Sequence, residues 1–114
     1  MIFFAEHESQ LIGMTGIRRG EWPKTKHSAT LWGVYVLPEW RGLHIAEALI
    51  DACTEWAKSN DVNTLHLGVT AASTSALRCY QRCGFTICGT EPRGIFYEGK
   101  YYDGYFMYKL LDDS

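Results

Sequence analysis

The sequence predicts an α/β fold of the α+β type, one mixed sheet of about six strands carrying two main helices. Three observations lead there. Apolar residues recur at helical spacing between Ile45 and Ala57, β-prone segments flank that stretch, and each end of the chain reads as two strands joined by a short polar turn.

At the start, Ile2, Phe3, Phe4 and Ala5 are apolar and β-prone, Glu8, Ser9 and Gln10 offer a turn, and residues 11–17 are apolar again, which makes a hairpin. Residues 18–27 are polar and hold Gly20 and Pro23, a loop before a third strand over residues 29–37 that Pro38 stops. Ile45, Ala48, Leu49, Ala52, Cys53, Trp56 and Ala57 share one helical face, with Glu47, Asp51, Glu55 and Lys58 on a solvated face and Asn60-Asp61 as the terminating turn. Leu65, Leu67 and Val69 alternate with His66, Gly68 and Thr70 in a strand, and the strand-helix-strand order favours a parallel pairing. A second helix over residues 73–83 has Ser or Thr for its N-cap and Gly84 for a left-handed stop. Residues 85–97 and 101–111 close the chain as a hairpin about Glu98-Gly99-Lys100.

The 114 residues are expected to form one domain, 1–114, since the chain is 46% hydrophobic and 21% charged and no linker or repeat interrupts it. A net charge of -2 provides no basic field for a polynucleotide, so no nucleic acid is expected as partner and any phosphate site must be local. No apolar run reaches the roughly 18 residues of a membrane helix, and residues 1–10 lack the marks of a signal peptide. A cytoplasmic protein without a membrane partner is the expectation. Cys53, Cys79, Cys83 and Cys88 form no C-x-x-C pair and read as reduced, structural thiols, while His7, His27, His44 and His66 are too scattered for a metal site.

The most informative stretch runs from Val34 through Pro38 and Gly42 to Ala46, a strand leading through a short loop into the clearest helix. Free N–H groups at a helix start, aided by the helix dipole, suit a pyrophosphate; Gly42 would allow close main-chain approach and Arg41 a charge-assisted contact. Arg41-Gly42-Leu43-His44-Ile45-Ala46 resembles the acetyltransferase signature of Gln or Arg, two residues, Gly, one residue, then Gly or Ala, and Ala76, Tyr80 and Gly84-Phe85 follow in the family's order. On these motifs the chain resembles the GNAT family of N-acetyltransferases, in a shortened form lacking the usual first strand and first two helices.

That resemblance implies acetyl-CoA as cosubstrate, no metal, and direct transfer of its acetyl group to a primary amine on a small-molecule or peptide acceptor. The main chain of Val34, Tyr35 and Val36 would bind the pantetheine arm, and Gly42, Leu43, His44, Ile45, Ala46 and Glu47 would surround the pyrophosphate. His44 replaces a family glycine, where an imidazole would obstruct the phosphate or, protonated, pair with it. Ser73 replaces the usual asparagine. Tyr80 matches the tyrosine that protonates the departing thiolate, a phenol near pKa 10 facing a thiol near 8.5. No carboxylate stands on the two central strands to deprotonate the amine, which leaves water, a backbone carbonyl, His66 or a C-terminal acid. The aromatic residues of the last hairpin suit either an acceptor pocket or a subunit contact, and an open edge at residues 2–6 favours a homodimer. The alternatives are a non-catalytic acyl-CoA-binding module and a protein-interaction domain on the same scaffold.

Overall fold

A computed structural model describes residues 1–111. The strands are β1 (Ile2–His7), β2 (Gln10–Arg19), β3 (Ser28–Val36), β4 (Thr64–Thr70), β5 (Thr86–Tyr97) and β6 (Lys100–Leu110); the helices are α1 (Ile45–Ser59) and α2 (Thr74–Arg82). One six-stranded sheet has the order β1-β2-β3-β4-β6-β5, with β3 and β4 parallel and the other pairs antiparallel. Pro38 does more than end β3: it opens a single 3-10 turn, Pro38–Trp40, with its fixed φ at the first position.

Both hairpins turn through two consecutive left-handed residues, Glu8-Ser9 and Glu98-Gly99. Such turns match the right-handed twist of the strands they join. The last hairpin follows α2 after Gly84, whose φ of +97° ends the helix in the left-handed region.

Helix α1 packs Leu49, Ile50, Cys53 and Ala57 on Ile17, Ala29, Leu31 and Leu65 of the sheet. Its inner face is rotated from the stripe that spacing suggests: Ala48 is exposed and Ile50 fully buried. Burying Ile contributes about 1.5–3 kcal/mol, far more than Ala offers, so the two large neighbours at 49 and 50 both turn inward.

The feature that positions the site lies between β3 and β4. Opposite β2, Met14 faces Tyr35 and Gly16 faces Trp32, two steps on one strand against three on the other. That is a β-bulge, and Gly33 within it has φ +63°. A Cβ on Gly33 would meet nothing within 4 Å, so glycine is required there by its backbone angle and not by crowding. The parallel ladder joins Ser28 to Thr64, Ala29 to Leu65 and Thr30 to His66, and then stops although β3 continues to Val36 and β4 to Thr70. β6 pairs with β4 along its whole length and keeps it straight, while the bulge bends β3 away. The two central strands therefore part.

Candidate active site

A cleft of about 970 Å³ occupies this opening on the helix side, lined by residues 34–36 of β3, the loop and first turn of α1, and α2 with the residues before it. Of the residues expected at a cofactor site, Val34, Tyr35, Val36, Arg41, Gly42, His44, Ile45, Ala46, Glu47 and Ser73 line it, as does Tyr80. Leu43 does not, and stands 59% exposed on the outside of the loop.

The loop reaches α1 through two left-handed residues, Gly42 at φ +82° and His44 at φ 64°, ψ 20°. Glycine is unstrained in that region and histidine is not, which gives a backbone reason for glycine in the family pattern at position 44. An added Cβ on Gly42 meets no protein atom within 4 Å, so within the chain itself the demand for glycine there comes from its φ. The first α1 bond runs from the Ala48 N–H to the His44 carbonyl, so the N–H groups of Ile45, Ala46 and Glu47 have no partner inside the helix.

His44 lines the cleft with its side chain largely exposed. Its Nδ1 lies 3.2 Å from Glu47 Oε2, and Arg82 Nε donates to Glu47 Oε1 at 3.1 Å, which ties the first turn of α1 to α2. These hydrogen bonds, His44 first and Arg82 second, hold the Glu47 carboxyl below its ordinary range. Glu47 is thus a bridge between helices and not a member of a merely solvated face. Arg41 is braced as well: its Nε donates to the Val36 carbonyl at 2.9 Å and its guanidinium lies 5.4 Å from the Tyr35 ring centre.

Tyr80 is only 8% exposed and meets Phe85 edge-on at 6.3 Å. Burial, with Cys79 and Cys83 adding to it, pushes its phenol up to about 12, above the value near 10 that the free side chain has. The Cys79 thiol is also raised by burial, and Cys83 is pushed to about 11. Ser73 is the N-cap residue of α2 but its hydroxyl makes no capping bond there. Sequence reasoning passed over Arg78, Cys79 and Arg82, which also line the cleft. Their signal was present in the spacing of the two arginines, one helical turn apart beside Tyr80.

These parts suit an extended acyl carrier with a polyphosphate end. Three arginines and the free amides of the α1 start line the cleft, and the side of β3 that faces β4 is free of ladder bonds beyond Thr30. A mixed sheet parted between parallel neighbours, with an anion-ready helix start at the gap, defines the acetyltransferase class of fold. The profile of the Acetyltransferase (GNAT) family matches residues 1–85, and the chain belongs to that family.

L-amino acid N-acetyltransferase AaaT of Escherichia coli (strain K12) is 27% identical over 107 residues, covering 90% of this chain and 64% of that protein. The chain therefore spans less than two thirds of that curated relative. The crystal structure of ribosomal-protein-alanine N-acetyltransferase from Brucella melitensis superposes with TM-score 0.86 and 29% identity, over 96% of this chain and 68% of the other. The Salmonella typhimurium protein yncA, solved with its cofactor acetyl-CoA, superposes with TM-score 0.89 at 18% identity, over 99% of this chain and 65% of the other. No helix among the described residues is long and apolar enough to cross a membrane.

Proposed function

We propose that the chain transfers the acetyl group of acetyl-CoA to a primary amine by direct attack, as a cytoplasmic homodimer. The observation that carries this is the parting of β3 and β4 beside the unpaired amides of the α1 start. The Escherichia coli and Brucella relatives are named N-acetyltransferases, and the Salmonella structure holds acetyl-CoA as its cofactor, which supports the same chemistry here.

Acetyl-CoA supplies the thioester. The amides of residues 45–47 and the side chains of Arg78 and Arg82 would hold its phosphates, and main-chain groups of residues 34–36 would bind the pantetheine amides and polarise the carbonyl. Tyr80, held near 12, keeps its proton throughout the physiological range and is always in the form that can donate to sulfur. Orientation of the two reactants supplies the rest of the rate.

Melting the protein with and without acetyl-CoA tests the binding step, with a concentration-dependent rise expected. Free-thiol release across a panel of small amines and peptides tests the transfer. A rise in melting temperature with no thiol release from any amine would favour the binding module instead.

A further inference from the structure

His44 stands where α1 begins, in the left-handed region at φ 64°, ψ 20°, with its side chain exposed in the cleft. The ring is nonetheless held, since its Nδ1 lies 3.2 Å from Glu47 Oε2. Glu47 is held in turn: Arg82 brings both Nε and Nη2 to Oε1, each at 3.1 Å. The hydrogen bonds from His44 and Arg82 keep the Glu47 carboxyl below its ordinary range, so it is ionised at neutral pH and the imidazole nitrogen facing it carries a hydrogen. Nε2 is then the ring nitrogen without a hydrogen-bond partner among the described residues.

Whether Nε2 also carries a hydrogen depends on the charges around the ring. Glu47 favours the imidazolium. Against it stand Arg41 from the loop, Arg78 and Arg82 from α2, all lining the same cleft, and the positive end of the α1 dipole, where the ring sits. Tyr35, Cys79 and Tyr80 are the other titratable groups of the lining, and burial keeps the Cys79 thiol and the Tyr80 phenol in their neutral forms. A diphosphate seated on the free amides of residues 45–47 reverses the balance, because its negative charges then stand beside the ring in place of water.

We infer that His44 is a side-chain ligand of the cofactor's diphosphate and binds it as the imidazolium, with Nδ1 on Glu47 and Nε2 on a phosphate oxygen, taking up one proton from solvent as the cofactor enters. The assignment rests on the acetyl-CoA reading proposed above. Imidazole is the side chain whose charge is exchanged most readily around neutral pH. The strained backbone at position 44 thereby gains a use: a glycine offers its amide alone, whereas the histidine adds a charge-assisted donor that the diphosphate itself brings into being. The cofactor is held less firmly as pH rises and the ring loses its proton.

Isothermal titration calorimetry with dephospho-coenzyme A tests this, since that ligand keeps the diphosphate and lacks the 3′-phosphate that would itself titrate near neutral pH. At about pH 7.5 the binding heat should differ between HEPES and Tris in the sense of proton uptake, and affinity should fall about threefold or more from about pH 6.5 to about pH 8. His44→Asn tolerates the left-handed backbone and cannot titrate, and His44→Gly relieves that backbone; both should bind with the buffer dependence gone. Pantetheine, which has no diphosphate, should cause no uptake in any of the three proteins. Buffer-independent heat in the parent, uptake that survives in either variant, or uptake with pantetheine overturns the assignment and leaves the cofactor reading standing. Where only acetyl-CoA binds, the difference in uptake between parent and variants decides in the same way. Absence of both binding heat and a melting shift with dephospho-coenzyme A and with acetyl-CoA overturns the cofactor reading and this assignment with it.

Discussion

Thr15, fully buried on β2, donates its hydroxyl to the Trp32 carbonyl at 3.3 Å and so anchors the bulge that turns β3 away from β4. The bond sits at the base of the bend, where a ladder partner is displaced. Tyr35 and Trp32, three residues apart, share a face because of the bulge; in a regular strand they would face opposite ways.

Thr15→Val keeps the shape and removes the donor. A stability loss of about 1–3 kcal/mol is expected in urea denaturation, because the variant buries a carbonyl without its partner. The melting shift with acetyl-CoA should shrink in the still-folded variant, since the bend also sets the free edge of residues 34–36. A full shift at reduced stability would separate the bulge from the site.

The sequence carried the elements because each has a local cause: turn residues at 8–10 and 98–100, the apolar stripe of α1, and a glycine after α2. The loop and Tyr80 were legible through their motifs. The parting of β3 and β4 was not, because it arises from a register difference with β2 and from the uneven pairing of β4 with its two neighbours. The Glu47–Arg82 bridge joins residues 35 positions apart, and no local pattern announces it. None of the aromatic residues of the final hairpin lines the cleft, and Phe96 and Tyr101 pair with each other at 4.9 Å. Of the C-terminal acids considered as bases, Asp112 and Asp113 lie outside the described residues.

At Gly42 the left-handed φ and open surroundings separate strain from crowding. Gly42→Ala should cost about 1 kcal/mol of stability from its backbone angle alone. Gly42→Val, with a branched side chain in the same angle, should also remove most of the acetyl-CoA melting shift. A folded Val variant with an undiminished shift would take this loop out of the binding site.

Tyr80→Phe should preserve acetyl-CoA affinity, read from the melting shift, and lower turnover by about tenfold or more. Equal losses in affinity and turnover would show a packing role against Phe85. Unchanged turnover would remove the acid role.

Alkaline pH should weaken the fold through the same residue and its neighbours. Burial raises Tyr80 to about 12 from 10 and Cys53 to about 11 from 9, so both stay neutral in the folded chain while the unfolded chain ionises. Each therefore contributes stability that is complete below its unfolded value and is lost as pH rises through the folded one. Melting temperature should fall between about pH 9 and 12 by linkage, with Tyr80 alone responsible for about 3 kcal/mol. Tyr80→Phe should flatten the upper part of that decline. A parent melting curve indifferent to pH across this window would contradict the buried, neutral phenol.

The two edges of the sheet differ in a way that bears on assembly. β5 is interrupted by bulges between Ile87 and Gly89 and between Glu91 and Ile95, which disfavour pairing with another chain, whereas β1 pairs regularly with β2 from Ile2 to Ala5. Ile2 and Phe4 also expose their side chains beside that edge. A homodimer that adds strand to strand across β1 is the expected arrangement. Light scattering over a wide concentration range should give twice the chain mass at the upper end, and Phe4→Lys should move the transition to higher concentration by placing a charge at the contact. A monomer at every concentration, with full acetyl-CoA affinity, would show that the site is complete within one chain and that the β1 edge stays open in solution.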